Sequence, residues 1–205
     1  MKLMKKYSKL FIGLLLTCFL KQSFSFEIYA LGTSAINCKG VDRNKIFTVR
    51  LEEMLRAKGI DVNVINGGVD GDNPIWMIKR LDPVFEQYKN IKLIIFEPGP
   101  NRPESATVEY SKLILDKFKK LNLPVIYVTP SSAIQSQESV EEFQKEYSLY
   151  VYGNWKDNIP WASGYRQSGD KDSKTGGHLT ELGCLRVAEL MLPLVEKVIQ
   201  DKKIN

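Results

Sequence analysis

Four short runs of β-forming residues recur along the chain, each closing on a turn and each followed by a helical segment. They are residues 27–32 (EIYALG), 61–66 (DVNVIN), 92–96 (KLIIF) and 124–128 (PVIYV). Such alternation constrains the fold strongly, because a strand returning parallel to its predecessor needs a crossover, usually a helix. Residues 92–96 are apolar after Lys92 and bounded by turn signals, the mark of a central strand covered on both faces. Between the strands lie helices over 42–58, 75–89, 104–121 and 138–147, and an amphipathic helix over 180–197 closes the chain. Asp42 is placed to cap the first of these and Gly59 to end it. Pro83 is expected to interrupt the second. The pattern predicts an α/β protein with a parallel sheet, right-handed crossovers and helices on both faces. In such sheets, sites form beyond the C-terminal ends of the strands.

The first 25 residues stand outside that pattern. Lys2, Lys5, Lys6 and Lys9 form a basic head, residues 10–20 (LFIGLLLTCFL) an apolar run, and Ser23 and Ser25 supply small residues where a signal peptidase reads. The run is shorter than the roughly 20 residues a span requires. A signal peptide cleaved after Ser25 is the expected reading, leaving one domain over 26–205; an uncleaved anchor or lipidation at Cys18 are the alternatives. The chain carries 29 basic and 24 acidic residues, and five of the lysines (with Lys21) fall in this segment, so 24 of each remain. That balance gives no basic patch for nucleic acid or an anionic membrane surface. The expected location is the periplasm or the exterior of the cell, without stable membrane insertion.

The chemistry-bearing residues gather at the strand ends. The first strand runs into Gly32-Thr33-Ser34, the second into Asn66-Gly67-Gly68-Val69-Asp70-Gly71-Asp72, and the third into Glu97-Pro98-Gly99-Pro100-Asn101. The only histidine, His178, follows Gly176-Gly177 just before the last helix. A serine between a strand and a helix sits where free backbone N–H groups can stabilise a developing oxyanion. The glycines near 71 let backbone approach a ligand closely. Asn101 offers an amide donor, and a histidine is suited to take a serine proton near neutral pH. Together these are the parts of acyl transfer. Each also has an ordinary structural reading, as a turn residue or a packed histidine. One histidine among scattered acids gives no metal-ligand spacing, and the glycine turns fit no phosphate-binding fingerprint, so no cofactor is expected. Residues 154–177 form a long polar stretch with Trp155, Trp161 and Tyr165 interleaved, read as a functional loop that stacks on sugars or lines an acyl groove, or else packs in the ordinary way.

The order of these blocks resembles the SGNH (GDSL-like) hydrolases, above all the small secreted arylesterases and the thioesterase/lysophospholipase branch. Gly32-Thr33-Ser34 corresponds to the family's Gly-Asp-Ser, Asn66 leading to Asp70-Gly71-Asp72 to its second block, Gly99-Pro100-Asn101-Arg102 to its Gly-x-Asn-Asp, and Thr175-Gly176-Gly177-His178 to its Asp-x-x-His. The similarity covers nearly all of residues 26–205. It implies a flavodoxin-like three-layer sandwich with a five-stranded parallel sheet. It implies Ser34 as nucleophile, His178 as base, and an oxyanion hole of the Ser34 and Gly71 backbone N–H groups with the Asn101 side chain, Gly71 being preferred to Gly67 or Gly68 by its place before Asp72. The implied substrate is a small-molecule, lipid or glycan ester.

Three positions depart from the family: Thr33, Arg102 and Thr175, the last standing where the triad acid belongs. Orienting His178 then falls to Asp170, Asp172, the Thr175 hydroxyl or a backbone carbonyl. In the serine-protease triad, loss of the acid costs about 10⁴-fold. These departures leave two alternatives beside an esterase: a binding protein that kept the fold without the chemistry, and an acyltransferase or O-acetyl esterase acting on envelope glycans. Cys38 lies four residues after Ser34 and Cys184 six after His178. If the two blocks meet at one site, a disulfide between them is expected, with two buried thiols as the alternative.

Overall fold

The computed structural model describes residues 26–99, 101, 103–130, 135–154, 159, 164–167 and 177–205. The expected signal segment, Trp155 and Trp161 lie outside these. Strands β1 (Phe26–Gly32), β2 (Val62–Gly68), β3 (Ile91–Phe96), β4 (Val125–Tyr127) and β5 (Tyr150–Val151) form one sheet in the order β2-β1-β3-β4-β5. Every pairing is parallel. The helices are α1 (Ser34–Asn37), α2 (Phe47–Ala57), α3 (Pro74–Gln87), α4 (Glu104–Lys120), α5 (Gln137–Tyr147) and α6 (Glu181–Lys202). No helix among the described residues is long and apolar enough to cross a membrane.

Alternation along the strands divides the core in two. Ile28 and Ala30 of β1 and Leu93 and Ile95 of β3 pack with Leu51 and Leu55 of α2 and Val187, Met191 and Val195 of α6. Tyr29 and Leu31 of β1 and Ile94 and Phe96 of β3 face the other way, toward Met77 and Leu81 of α3, Phe118 of α4 and Phe143 of α5. The period-2 side-chain direction of a strand thus produces the three-layer, flavodoxin-like sandwich. In the order β2-β1-β3, successive connections leave β1 in opposite directions, which opens a crevice at the C-terminal ends of β1 and β3.

Two expected element boundaries are corrected. Residues 42–58 do not form one helix capped by Asp42. A 3-10 turn (Arg43–Lys45) comes first, and α2 begins at Phe47 after an extended Ile46. That extended step lets Ile46 and Phe47 both enter the core, each under 4% exposed. At the other end Gly59, at φ +81°, closes α2 as expected. Pro83 does not interrupt α3, which runs through it. Pro83 and Lys79 are both exposed, so the carbonyl that loses its partner meets water, while Met77 and Leu81 hold the opposite face in the core.

Candidate active site

Ser34 is delivered by the end of β1. Thr33 caps the single turn of α1, its side chain accepting from the Ala35 N–H, and Ser34 takes the first helical position. A backbone N–H there has no carbonyl partner within the helix. His178 lies 144 residues away in sequence, yet its Nε2 is 3.1 Å from Ser34 Oγ. It arrives on an extended segment: Arg166 and Leu179 form an antiparallel bridge, the Gln167 N–H donates to the His178 carbonyl, and the Thr180 N–H to the Tyr165 carbonyl. Thr180 then caps α6 through the Gly183 N–H. The Gln167 side-chain amide donates to the carbonyls of Lys39 and Leu179 at 2.8 and 2.9 Å, joining the Ser34 segment to the His178 segment. Cys38 and Cys184 form a disulfide between the same two segments, with Cα atoms 6.4 Å apart. Both cysteines are buried, so of the two expected states the bonded one is found.

The second and third strand ends carry Gly71 and Asn101, the other expected donors. Residues 69–72 make a β-turn closed by the Asp72 N–H donating to the Val69 carbonyl, and the Val69 N–H donates to the Gly32 carbonyl at 3.0 Å. Gly71 stands third in this turn at φ +73°, a position that favours glycine, and a side chain there would point into open space. The Asn101 amide donates to the Asp72 carbonyl at 2.7 Å, leaving its second N–H for other use. Ser34, Gly71 and Asn101 therefore stand on three turns at the C-terminal edges of β1, β2 and β3, and these turns are bonded to one another. Asp70 adds a further tie by accepting from Asn37 of α1 at 2.7 Å.

No family model matches the chain, and no curated protein does. Solved structures do. The chain is similar to the psychrotrophic esterase EstA from Pseudoalteromonas sp. over 85% of its own length and 98% of that chain, with TM-score 0.72 and 17% identity. It matches TesA over 83% and 98% with TM-score 0.68 and 16% identity. It matches AlinE4, an SGNH-hydrolase family esterase, over 87% and 97% with TM-score 0.56 and 19% identity. The chain has the SGNH-hydrolase fold. Within the SGNH fold, the crevice at the β1/β3 switch is where Ser34 and His178 meet.

Two further side chains organise this SGNH crevice, and sequence reasoning passed over both. Glu97, at the end of β3, is fully buried beside Thr33. Its Oε2 accepts from the Thr33 N–H at 2.9 Å and from the Thr33 hydroxyl at 2.8 Å, and the Gly99 N–H donates to the same carboxyl. Burial pushes the Glu97 carboxyl above the ordinary glutamate range, although these three donors pull the other way. Thr33 is thus the partner of a buried acid, which gives the departure from Gly-Asp-Ser a physical role. Gly99, at φ +73°, lies so close to the Thr33 methyl that a Cβ would collide with it. The second residue is Arg80 of α3, whose guanidinium pairs with buried Asp72 at 2.8 Å. Asp170, Asp172 and Thr175, the expected orienters of His178, and Arg102 lie outside the described residues. Among the described residues no cluster of His, Cys, Asp and Glu has the arrangement of a metal site.

Proposed function

We propose that the chain is an exported serine hydrolase of the SGNH family that cleaves carboxylic esters or thioesters through an acyl-enzyme on Ser34. The observation that carries this reading is the 3.1 Å contact between Ser34 Oγ and His178 Nε2 at the switch-point crevice. In the proposed cycle His178 takes the hydroxyl proton as Oγ bonds to the acyl carbon. The carbonyl electron pair moves onto its oxygen, which the Ser34 and Gly71 N–H groups and the Asn101 amide receive. The tetrahedral species collapses, the bond to the leaving alkoxide or thiolate breaks, and His178 returns the proton to it. Water then repeats the sequence on the acyl-enzyme and frees Ser34. Export is supported by the N-terminal basic and apolar pattern and by the Cys38–Cys184 disulfide, a bond that persists in oxidising compartments. The solved esterases that share the fold support ester chemistry for this chain.

The test is hydrolysis of p-nitrophenyl esters, acetyl to palmitoyl, by residues 26–205 and by the Ser34→Ala variant. Turnover that disappears in Ser34→Ala is the expected result. The chain-length optimum then separates an acetyl esterase from a lipid esterase. Equal rates for both proteins on every ester would discard the hydrolase reading in favour of a binding protein.

A further inference from the structure

Asp72 stands behind two of the three proposed oxyanion donors. Gly71 immediately precedes it, and its carbonyl accepts from the Asn101 amide at 2.7 Å. Its carboxylate is almost wholly buried, with 3% of the side chain exposed, a position that demands a partner. Arg80 supplies one: Nε donates to Asp72 Oδ2 at 2.9 Å, and Nη2 lies 2.8 Å from the same oxygen. The other carboxylate oxygen accepts from the Asn73 N–H at 2.9 Å, which fixes the start of α3. The same guanidinium reaches backward into the sheet. Nη1 donates to the Tyr29 hydroxyl at 3.0 Å, and Nη2 to the Gly67 carbonyl at 2.7 Å and, more weakly, the Gly32 carbonyl at 3.4 Å. Gly32 lies two residues before Ser34. One planar, rigid fork thus spans the end of β1, the end of β2 and the turn that carries Gly71.

We propose that Arg80 is a positioning residue for the oxyanion hole, setting Gly71 and Asn101 relative to Ser34 through Asp72. The inference rests on the esterase reading of Ser34. Arg80 bonds neither Ser34 nor His178; its effect passes through the Asp72 carboxylate and the two glycine carbonyls. Lysine keeps the charge and loses the fork, so it cannot hold these acceptors together.

The experiment compares Arg80→Lys, Arg80→Gln and the double variant Arg80→Gln/Asp72→Asn with wild type on p-nitrophenyl acetate. The double variant leaves no unpaired buried charge and serves if Arg80→Gln does not fold. Thermal melts establish that each protein is folded at the assay temperature. Expected is a fall in kcat of about 10- to 100-fold with KM changed by less than about threefold, because the interaction is made in the transition state. Added to Asn101→Ala, an Arg80 substitution is expected to cost less than it does alone, since the part of its effect that passes through Asn101 is already lost and only the part through Gly71 remains. A lowered melting temperature with kcat unchanged, or losses that multiply fully with Asn101→Ala, overturns the proposal while leaving the esterase reading intact. Absence of any Ser34-dependent turnover in the wild type overturns both.

Discussion

The two halves of the candidate site are held by different means. The proposed nucleophile–base half is tied covalently and by a side chain bridging two backbone carbonyls: Cys38–Cys184 and the Gln167 amide both join the Ser34 segment to the His178 segment. The proposed oxyanion half is tied by polar side chains, most of them buried. Arg80 and Asp72 fix one turn, and Glu97 with Thr33 and Gly99 fixes another. The packing beneath them differs as well. Beyond the disulfide, the layer of α2 and α6 is largely aliphatic. On the face of α3, α4 and α5, the rings of Phe85, Phe118, Phe96, Tyr127, Phe143 and Tyr147 pack edge to face in sequence, with centroids 5.6–6.2 Å apart. A disulfide limits the unfolded chain whatever the pH, whereas a buried carboxyl couples the fold to protons. The two halves should therefore respond to different perturbations.

The largest effect is expected where the halves meet. His178→Ala should lower kcat/KM for a p-nitrophenyl ester by about 10⁴-fold or more, as loss of the base does in serine hydrolases generally. A loss below tenfold would remove His178 from the base role. Next in size is the covalent tie. The Cys38→Ala/Cys184→Ala variant should lose about 2–5 kcal/mol in urea denaturation, toward the upper end because the bond closes 146 residues of sequence. An unchanged urea midpoint would show that the first half does not depend on its disulfide.

The oxyanion half should show the pH dependence. Burial holds the Glu97 carboxyl above its unfolded value, so the folded protein keeps a proton that the unfolded chain has released. The resulting stability is fully present below the ordinary glutamate pKa and is lost as pH rises through the raised one. Every tenfold difference in proton affinity between the two states corresponds to about 1.4 kcal/mol. Wild type should therefore lose stability relative to Glu97→Gln as pH rises above the ordinary glutamate range, measured as the difference between their urea curves. A difference independent of pH would contradict a raised Glu97. The smallest effects separate two caps. Thr180→Ala should cost about 1 kcal/mol, since its hydroxyl accepts from the Gly183 N–H. Asp42→Ala should fall within about 0.5 kcal/mol, because Asp42 makes no capping bond.

The same contrast explains what the sequence revealed. β2 and the longer helices were legible because each buries one face and so carries a period, while β1, β3 and β4, buried on both faces, were legible as short apolar runs between turns. β5 is two residues long and offers no alternation to read. Ser34 and His178 stood out because one follows a strand directly and the other is unique in the chain. The sequence brought Cys38 and Cys184 together only on condition that the two blocks meet, and left bonded and free thiols open; the structure shows the bond. Arg80 stayed hidden because it sits beside Lys79 on an amphipathic helix, where a cation reads as part of the wet face. Its partners Tyr29 and Gly32 are 51 and 48 residues earlier. Glu97 stayed hidden for the same reason: only the tertiary approach of Thr33 makes it a buried acid. Pro83 misled because the cost of a helical proline depends on which face it occupies.

The central claim is that Ser34 is a nucleophile activated by His178. Mass spectrometry after treatment with a p-nitrophenyl alkylphosphonate tests it most directly, because the reagent leaves a stable phosphonyl ester on an activated serine. The account predicts one adduct, mapped to Ser34, absent in Ser34→Ala and formed far more slowly in His178→Ala. No adduct, or an adduct on another residue that persists in Ser34→Ala, would contradict it.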